Sequence, residues 1–408
     1  MPLNKAFQYT TILLGLFPLL KHNHFSILMI VWFILAICLS FKNKKLRLRS
    51  NDLFCFVLLA FCFLMYVLYL PFVTDFKELS KQIIKSLPFL IFPLGFLWNK
   101  IEITKSLLNK QLQLFVAAVV VLNCLGWILV FQSDIVSLYQ TNDFYNPTFR
   151  NVFTQATKLH LPYLGLFTTF SCLYLVYKQV VLNKFKVLSN LIIGYLAVSM
   201  YIYSARMALV CLVVGIVFLL FNALKSRKVK IISAVIIPLI ALIFVVVSPL
   251  KDRYSNVLET ELVLPHKGQM PHEVNYRYGI WYCASTIIKE NFLLGVAPDQ
   301  AQNQLNSCYT QFDYQSYEDF SKVVYNSHNQ YLDQTIKFGI IGLLLFVICL
   351  GYFIPKADIF YQTFGIIVAI SFLTENYLDR QMGVVFIALF NTIFVIYNNN
   401  KREKSISS

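Results

Sequence analysis

The stretch LIIGYLAVSMYIYSARMALVCLVVGIVFLL, residues 191–220, is almost continuously apolar and carries a single charge, Arg206. As one helix it would be about 45 Å long, whereas the hydrocarbon core of a bilayer is about 30 Å thick. Basic residues flank the stretch on both sides, at 184–186 and 225–230. Basic flanks favour the cytoplasmic face, so the chain is expected to cross the membrane twice. The sequence therefore predicts a helical hairpin whose turn falls at residues 204–206, on the opposite face.

The composition of the chain extends this conclusion to its full length. Of the 408 residues, 58% are hydrophobic and only 13% are charged. A soluble globular protein averages about 45–50% apolar and about 25% charged residues. With a mean hydropathy of +0.62, a soluble enzyme, a disordered chain and a secreted disulfide scaffold are all excluded.

Hydropathy along the chain predicts an all-α polytopic membrane protein with about twelve transmembrane helices. A helix needs about 20 apolar residues to cross the bilayer core. The first and fourth candidates are short, and a tilted or partly re-entrant arrangement stays open for both. The candidate spans are residues 7–20, 24–41, 53–73, 84–98, 111–132, 159–177, 188–203, 207–224, 231–249, 332–354, 359–374 and 382–397.

The charged residues assign sides to these spans. An even number of crossings places both termini on one face, and that face carries 20 of the 35 basic residues but only four of the 20 acidic ones. The positive-inside rule makes it cytoplasmic, so the net charge of +15 needs no nucleic-acid partner. We predict a single membrane domain, residues 1–408, with one large external loop at 250–331 inserted between spans nine and ten.

Arg206 is the first candidate functional residue. An arginine between two apolar spans is costly to place, and such residues usually face a cavity or a ligand. The alternative is that its side chain snorkels to lipid headgroups, which would suit the cytoplasmic face better. At an external turn we favour a functional role.

A second candidate region, residues 272–288, lies in the large loop and has apolar residues at helical spacing. We expect a helix that rests in the membrane interface with its apolar face down. Arg277 and Trp281 are four residues apart and share one helical face, next to Tyr276. A guanidinium beside an indole suits a phosphate that carries a sugar. The alternative is an interfacial anchor, which tryptophan and arginine also form.

A third region, YNSHNQYLD at 325–333, precedes the tenth span. Asn326 or Ser327 is expected to cap that helix, which would place His328 in its first turn. The helix dipole there favours a neutral imidazole, which can accept a proton from an alcohol. A histidine satisfied at the membrane surface is the alternative. The polar residues around it that argue against an inert interface are Asn326, Asn329, Gln330 and Asp333.

The last external loop, residues 375–381, contributes Glu375 and Arg380. These residues are candidates to contact the substrate or to orient the groups that do, and solvation of a turn is the alternative. Glu78 and Lys81 form another external charged pair, for which a solvated helix face is favoured.

The sequence gives little support for a metal site. His266, His272 and Glu273 lack the second histidine of the H-E-x-x-H zinc motif, so we expect neither a metal nor another cofactor. Cys283 and Cys308 are the only cysteines outside the predicted spans, and whether they pair as a disulfide is left open.

Four motifs together resemble the O-antigen ligase-like family of bacterial inner-membrane glycosyltransferases, which includes O-antigen ligases, polysaccharide polymerases and O-oligosaccharyltransferases. They are SAR at 204–206, RYGIW at 277–281 leading into NFLLGV at 291–296, NSHNQYLD at 326–333 followed by FGIIGL, and TENYLDRQMG at 374–383. The third motif is the most specific. One departure is Met207, where many relatives have glycine after the arginine.

The resemblance implies a GT-C-like helical fold and metal-independent transfer from an undecaprenyl-diphosphate-linked glycan. It makes Arg206 and Arg277 contacts of the diphosphate and His328 the catalytic base. The expected acceptor is lipid A-core, membrane lipids surround the protein, and the site faces the periplasm. A polymerase acting on another lipid-linked glycan is the alternative within the family. A transporter of the same lipid is a further alternative, disfavoured because the charged candidates cluster at one face and no internal repeat is visible.

Overall fold

The computed structural model describes residues 3–43, 50–99, 102–132, 147–203, 205–247, 261–264, 273–312 and 325–407. Over these residues the fold is helical and contains no β-strand, as predicted. The α-helices in chain order are α1 Leu3–Leu13, α2 His22–Lys42, α3 Ser50–Leu68, α4 Phe76–Ser86, α5 Pro88–Asn99, α6 Lys105–Gln132, α7 Pro147–Thr157, α8 Leu161–Val180, α9 Val187–Ile202, α10 Arg206–Ala223, α11 Arg227–Val247, α12 Glu273–Glu290, α13 Ala301–Tyr309, α14 Gln330–Gly351, α15 Ile359–Ser371 and α16 Gln381–Ser407.

Six helices of the described chain are long and apolar enough to cross a membrane: α2, α3, α6, α10, α14 and α16. The pair α7 and α8 makes a seventh crossing if it is one broken span, bent by 78° at the break. Two further apolar helices, α9 and α15, are shorter, with 16 and 13 residues. A polytopic membrane protein is therefore supported, and the count of about twelve spans stays a prediction.

The two short candidate spans are not continuous helices. The first, residues 7–20, begins as α1 and continues as a 3-10 helix at Leu14–Leu19 that contains Pro18. The fourth, residues 84–98, combines the end of the amphipathic α4 with the apolar α5, which begins at Pro88. Proline lacks an amide N–H and clashes with the preceding turn, so both interruptions fall where the sequence disfavours a regular helix.

The helix is interrupted where the hairpin within residues 191–220 was predicted to turn; Ser204 of that turn lies outside the described residues, and the membrane face of the turn stays a prediction. The first arm ends with α9 at Ile202, and Arg206 is the first residue of α10. The second arm packs closely on α8, because a Cβ added at Gly165 would lie 2.8 Å from the Cβ of Ala208 and 3.0 Å from that of Ala205. The start of α10 therefore lies beside the start of α8.

The core of the bundle is built around α16, which is buried along most of its length. Its phenylalanines interlock with those of α6 and α8. The ring centroids of Phe390 and Phe170 lie 4.9 Å apart, and those of Phe390 and Phe115 lie 5.1 Å apart. Such aromatic contacts supply the van der Waals packing that holds helices together where lipid removes the hydrophobic drive.

A break in α14 joins it to the turn that follows α12. Gly339 has a φ of +67°, a conformation that glycine adopts without strain. The interrupted helix is satisfied by the turn: the Val296 N–H donates to the Ile336 carbonyl at 2.8 Å, and the Ile340 N–H donates to the Phe292 carbonyl at 2.8 Å. Two of the sequence motifs, NFLLGV and FGIIGL, thus meet backbone to backbone.

The apolar face of α12 does not lie on the membrane, contrary to the expectation. Its buried residues Ile280, Cys283 and Ala284 pack against α13 and against Ile336 of α14. Cys283 also forms a disulfide with Cys308 of α13. Protein packing thus takes the place of the expected lipid contact, and the helix is fixed against the element that leads from His328.

Candidate active site

His328 lies before α14 and not in its first turn, which corrects the expectation from sequence. The N-cap is Asn329, whose side chain accepts from the backbone N–H groups of Tyr331 and Leu332. His328 has a φ of +45°, in the left-handed region that non-glycine residues seldom adopt. The capping asparagine starts the helix two or three residues later than predicted, and the chain turns sharply at the histidine.

The His328 imidazole faces the Glu375 carboxylate. Nδ1 and Oε2 lie 3.6 Å apart, just beyond hydrogen-bond length, and the side chains are 24% and 7% exposed. Nδ1 is buried and has no closer partner among the described residues. The pair thus joins a carboxylate held inside the protein to an imidazole that solvent reaches.

Glu375 stays ionised despite its burial. Burial on its own raises the pKa of this carboxyl, but the adjacent His328 and the charges of His160 and Arg277 outweigh it and lower the pKa below its ordinary value. These groups come from three separate elements of the fold: α12, the start of α8 and the loop before α14.

Further charged groups lie in the same neighbourhood. His160 precedes α8 at the helix break and interacts electrostatically with Glu375, His328, Arg380 and Arg150. Its Nδ1 is buried without a hydrogen-bond partner in the described chain. Arg380 is exposed, as is Arg277. We refer to His160, Arg277, His328, Glu375 and Arg380 as the open cluster.

Aromatic rings connect α12 to the histidine. The Tyr276 and Tyr325 ring centroids lie 6.3 Å apart, and those of Tyr325 and His328 also lie 6.3 Å apart. Trp281 is 38% exposed on the same helix. The two described side chains Arg277 and Trp281 share a helix as predicted, but they form no cation–π contact.

Arg206 lies at the same end of the bundle as the open cluster, on a neighbouring helix. Farther along α10, Cys211 Sγ lies 3.5 Å from Ser371 Oγ at the end of α15, four residues before Glu375. On its other side α10 touches α8, which His160 precedes. Arg206 is half-buried. Arg206 thus lies at the same end of the fold as Glu375, while the groups that act electrostatically on Glu375 are His328, His160 and Arg277.

The polar residues next to His328 mainly bind other protein groups. Asn326 Oδ1 accepts from the His328 backbone N–H at 3.0 Å, and Asn326 Nδ2 donates to Asp379 at 2.9 Å. Asn329 caps α14 and donates to the Leu373 carbonyl at 3.1 Å. Both asparagines are half-exposed, so they retain access to a ligand.

Gln330 and Asp333 are buried and fully engaged. Gln330 Oε1 accepts from the Leu378 N–H at 2.8 Å, and its Nε2 donates to Asp333 at 3.3 Å. Lys337 Nζ donates to Asp333 at 2.6 Å and to Asp379 at 3.2 Å. We refer to Asp333, Lys337 and Asp379 as the buried cluster. Its geometry suits a supporting role and not the substrate contact expected of Gln330 and Asp333.

Sequence reasoning missed two residues, His160 and Lys337. His160 stands at the edge of a predicted span, two residues before Pro162, and Lys337 lies inside one together with Asp333. An ionisable residue in or beside a membrane span indicates a functional role or a buried partner. This signal could have identified both residues from the sequence.

The described residues contain no group of three histidine, cysteine or acidic side chains that could hold a metal. His266 and His272, considered for zinc, lie outside the described residues. The disulfide left open by the sequence is present between Cys283 and Cys308 and ties α12, the helix of Arg277, to α13.

Comparison with known proteins agrees with the motifs. Residues 191–347 match the family model described as O-antigen ligase, a segment that includes Arg206, Arg277 and His328. No curated protein matches the chain. The resemblance expected from the sequence is thus confirmed, and residues 191–347 are similar to the O-antigen ligase family.

Proposed function

We propose that this protein is an inverting, metal-independent glycosyltransferase. It moves a glycan from an undecaprenyl-diphosphate carrier to an acceptor sugar hydroxyl, and lipid A-core is the favoured acceptor. The observation that carries the proposal is the His328–Glu375 pair, 3.6 Å apart, with the charge of Arg277 acting on the same carboxylate. These groups lie in or beside the segment that matches O-antigen ligases.

In the proposed reaction His328 is the general base. The ionised Glu375 orients the imidazole through the proton on Nδ1, which leaves the Nε2 lone pair to accept the proton of the acceptor hydroxyl. The hydroxyl oxygen forms a bond to the anomeric carbon from the face opposite the diphosphate. The anomeric C–O bond breaks, its electron pair leaves with the diphosphate, and the configuration inverts.

The arginines supply the complementary charge. Arg206 and Arg277 bind the diphosphate and stabilise the negative charge that grows on it as the bond breaks, a role that metal ions fill in many transferases. Arg380, an exposed residue that acts electrostatically on His160, adds a further positive charge. Guanidinium groups suit this role because they stay protonated and bind phosphate through two parallel hydrogen bonds.

Substrate sugars are placed by the aromatic and amide groups around the histidine. Tyr276 and Trp281 on α12 present flat faces for a sugar ring, while Asn326 and Asn329 offer hydrogen bonds at the histidine loop. Gln330 and Asp333 lie buried behind this surface and hold its residues in place. Glu375 is placed in the proposal as an orienting group and not as a substrate contact.

The reaction is placed on the periplasmic side of the bacterial inner membrane, with both termini in the cytoplasm and a GT-C-like arrangement of about twelve spans. The excess of basic residues in the loops of the opposite face supports this orientation. So does the Cys283–Cys308 disulfide near the site, because disulfides persist in the periplasm and are rare in the cytosol.

Reconstitution into liposomes tests the proposal. With a fluorescent lipid-diphosphate-linked glycan and lipid A-core supplied together, we expect a glycosylated lipid A-core product. Arg206→Ala should lower donor affinity, whereas Arg227→Ala, at an exposed arginine of α11, should not. Product formed only from two donor molecules would make the protein a polymerase. Movement of the donor between leaflets without any new glycosidic bond would make it a transporter and overturn the proposal.

A further inference from the structure

Lys337 lies within a membrane helix and is 4% exposed. A lysine at such depth must be paired, because an isolated ammonium in a low-dielectric interior is costly. Asp333, one turn earlier on α14, would satisfy it alone at 2.6 Å. Lys337 nevertheless reaches a second carboxylate, Asp379, on the loop between α15 and α16 at 3.2 Å. The lysine therefore connects two elements of the fold.

Hydrogen bonds continue from Asp379 to the histidine. Its Oδ2 accepts from Asn326 Nδ2 at 2.9 Å and from Asn376 Nδ2 at 3.1 Å. Asn326 Oδ1 in turn accepts from the His328 backbone N–H at 3.0 Å. The charges of Lys337 and Lys85 outweigh burial and keep the pKa of Asp379 below its ordinary value, so its carboxylate accepts both bonds. Lys337 is thus linked to the His328 backbone by three consecutive hydrogen bonds.

The backbone conformation of His328 indicates what these three hydrogen bonds stabilise. A φ of +45° is unfavourable for a residue with a side chain, and it persists only where the surroundings hold it. The Asn326 side chain fixes the N–H of His328, and the Asn329 cap fixes the chain immediately after it. Relaxation to an ordinary φ would turn the imidazole away from Glu375.

The backbone of Lys337 also supports the helix of Arg277. A Cβ added at Gly295, in the turn that ends α12, would lie 2.6 Å from the Lys337 carbonyl carbon. The turn therefore rests directly on the main chain at Lys337. Lys337 thus reaches the histidine loop through Asp379 and Asn326, and its main chain contacts the turn that ends the helix of Arg277.

We infer that Lys337 is a positioning residue: through Asp379 and Asn326 it holds His328 in the left-handed conformation that directs the imidazole to Glu375. The inference rests on the proposed function only for its effect on turnover. The conformation of His328 itself can be measured without any reaction.

Two variants and two readouts test the inference. Lys337→Met removes the charge, and Asn326→Ala removes the last two of the three hydrogen bonds. We expect kcat to fall by about 10- to 100-fold in each, the scale of a misplaced catalytic group, with little change in KM for the lipid-linked donor. The rate at which diethylpyrocarbonate modifies His328, followed by mass spectrometry, should rise in both variants. Lys337→Arg keeps the charge and should restore part of kcat and part of the protection of His328. Lys81→Met, at an exposed lysine, is the control and should change neither quantity.

Wild-type kcat together with wild-type modification of His328 in Asn326→Ala would overturn the inference. If Lys337→Met does not fold, Asn326→Ala decides alone. If His328→Ala itself retains full transfer, the proposed base is wrong, whereas the modification rate of His328 still shows whether Lys337 and Asn326 hold it. The two failures are therefore distinguishable.

Discussion

The open cluster and the buried cluster lie against the same end of α14 and differ in how their charges are satisfied. In the buried cluster Lys337 has a carboxylate on each side, at 2.6 and 3.2 Å. In the open cluster the closest approach of His328 to Glu375 is 3.6 Å, and the imidazole is 24% exposed. The first group of charges is fully paired, although the Asp379 side chain is 20% exposed, whereas in the second His328 Nδ1 has no hydrogen-bond partner among the described residues.

This difference indicates that the buried cluster supports the fold, whereas the open cluster can take part in the reaction. A buried charge network with every member bonded contributes rigidity and has no capacity left for a ligand. An imidazole beside an ionised carboxylate, with one side accessible, retains the lone pair that proton transfer requires. The comparison predicts that changes in the open cluster mainly alter turnover, whereas changes in the buried cluster alter stability as well.

The largest effect on turnover is expected at His328. His328→Ala should lower the rate of glycan transfer by about 10²–10⁴-fold, the usual contribution of a positioned base, with donor binding retained. Product formation in liposomes and binding of a fluorescent donor measure the two quantities. His24→Ala, at an exposed histidine of α2, is the control and should match the wild type. Full activity in His328→Ala would remove the distinction between the clusters.

The buried cluster should show its effect in stability. Lys337→Met leaves two carboxylates without their cation and should lower the free energy of unfolding by about 3–5 kcal/mol. The triple change Asp333→Asn, Lys337→Met and Asp379→Asn removes all three charges and should cost less. Thermal unfolding in detergent compares the variants. A triple variant less stable than Lys337→Met would show that the charges themselves stabilise the fold.

Glu375→Gln tests the contribution of the carboxylate in the open cluster. Loss of the orienting charge should lower turnover by about 10²-fold, the lower end of the range for proton-transfer groups. The pKa of Glu375 is lowered in the folded protein, so its ionised form stabilises the fold above the ordinary glutamate value of about 4.3. That contribution is lost as the pH falls through the lower folded-state pKa.

The stability difference between the wild type and Glu375→Gln should therefore be constant near neutral pH and shrink on acidification. Thermal midpoints from pH 7 down to pH 3 measure it, within about the range where carboxylates titrate. A difference that grew as the pH fell would mean that the carboxylate is destabilised in the folded state.

The smallest expected effect concerns the backbone contact that joins α12 to α14. A Cβ at Gly339 would lie 2.1 Å from the Leu293 carbonyl oxygen, at a φ of +67°. Gly339→Ala should cost about 1–3 kcal/mol of stability. Gly194→Ala has open space around it and an ordinary φ, so it should be neutral or slightly stabilising. Equal thermal midpoints for the two variants would contradict the contact.

The sequence predicted the helical class and the helix break before Arg206 because each depends on local pattern. Hydropathy and basic flanks determine where a membrane helix turns. The resemblance identified Arg206, Arg277 and His328 as a set, and the O-antigen ligase match covers all three. Short motifs of this kind can be recognised from the sequence without knowledge of the three-dimensional structure.

What the sequence could not show depends on long-range contacts. The apolar face of α12 was expected to contact lipid, but in the folded protein it packs against α13 and Ile336 of α14. Asp333 looked like a substrate contact, but it binds Lys337, which also binds Asp379, 42 residues farther along the chain. The position of the N-cap at Asn329 followed from competition among neighbouring capping residues that a single sequence does not resolve.

The central claim is that Arg206, Arg277 and His328 act on one lipid-linked diphosphate sugar. The most direct measurement is a cryo-electron-microscopy structure of the protein with an undecaprenyl-diphosphate glycan bound. The account predicts both guanidinium groups at hydrogen-bond distance from the diphosphate and the imidazole of His328 on the opposite side of the anomeric carbon. A diphosphate bound away from these arginines, or a histidine separated from the sugar by the protein core, would contradict it.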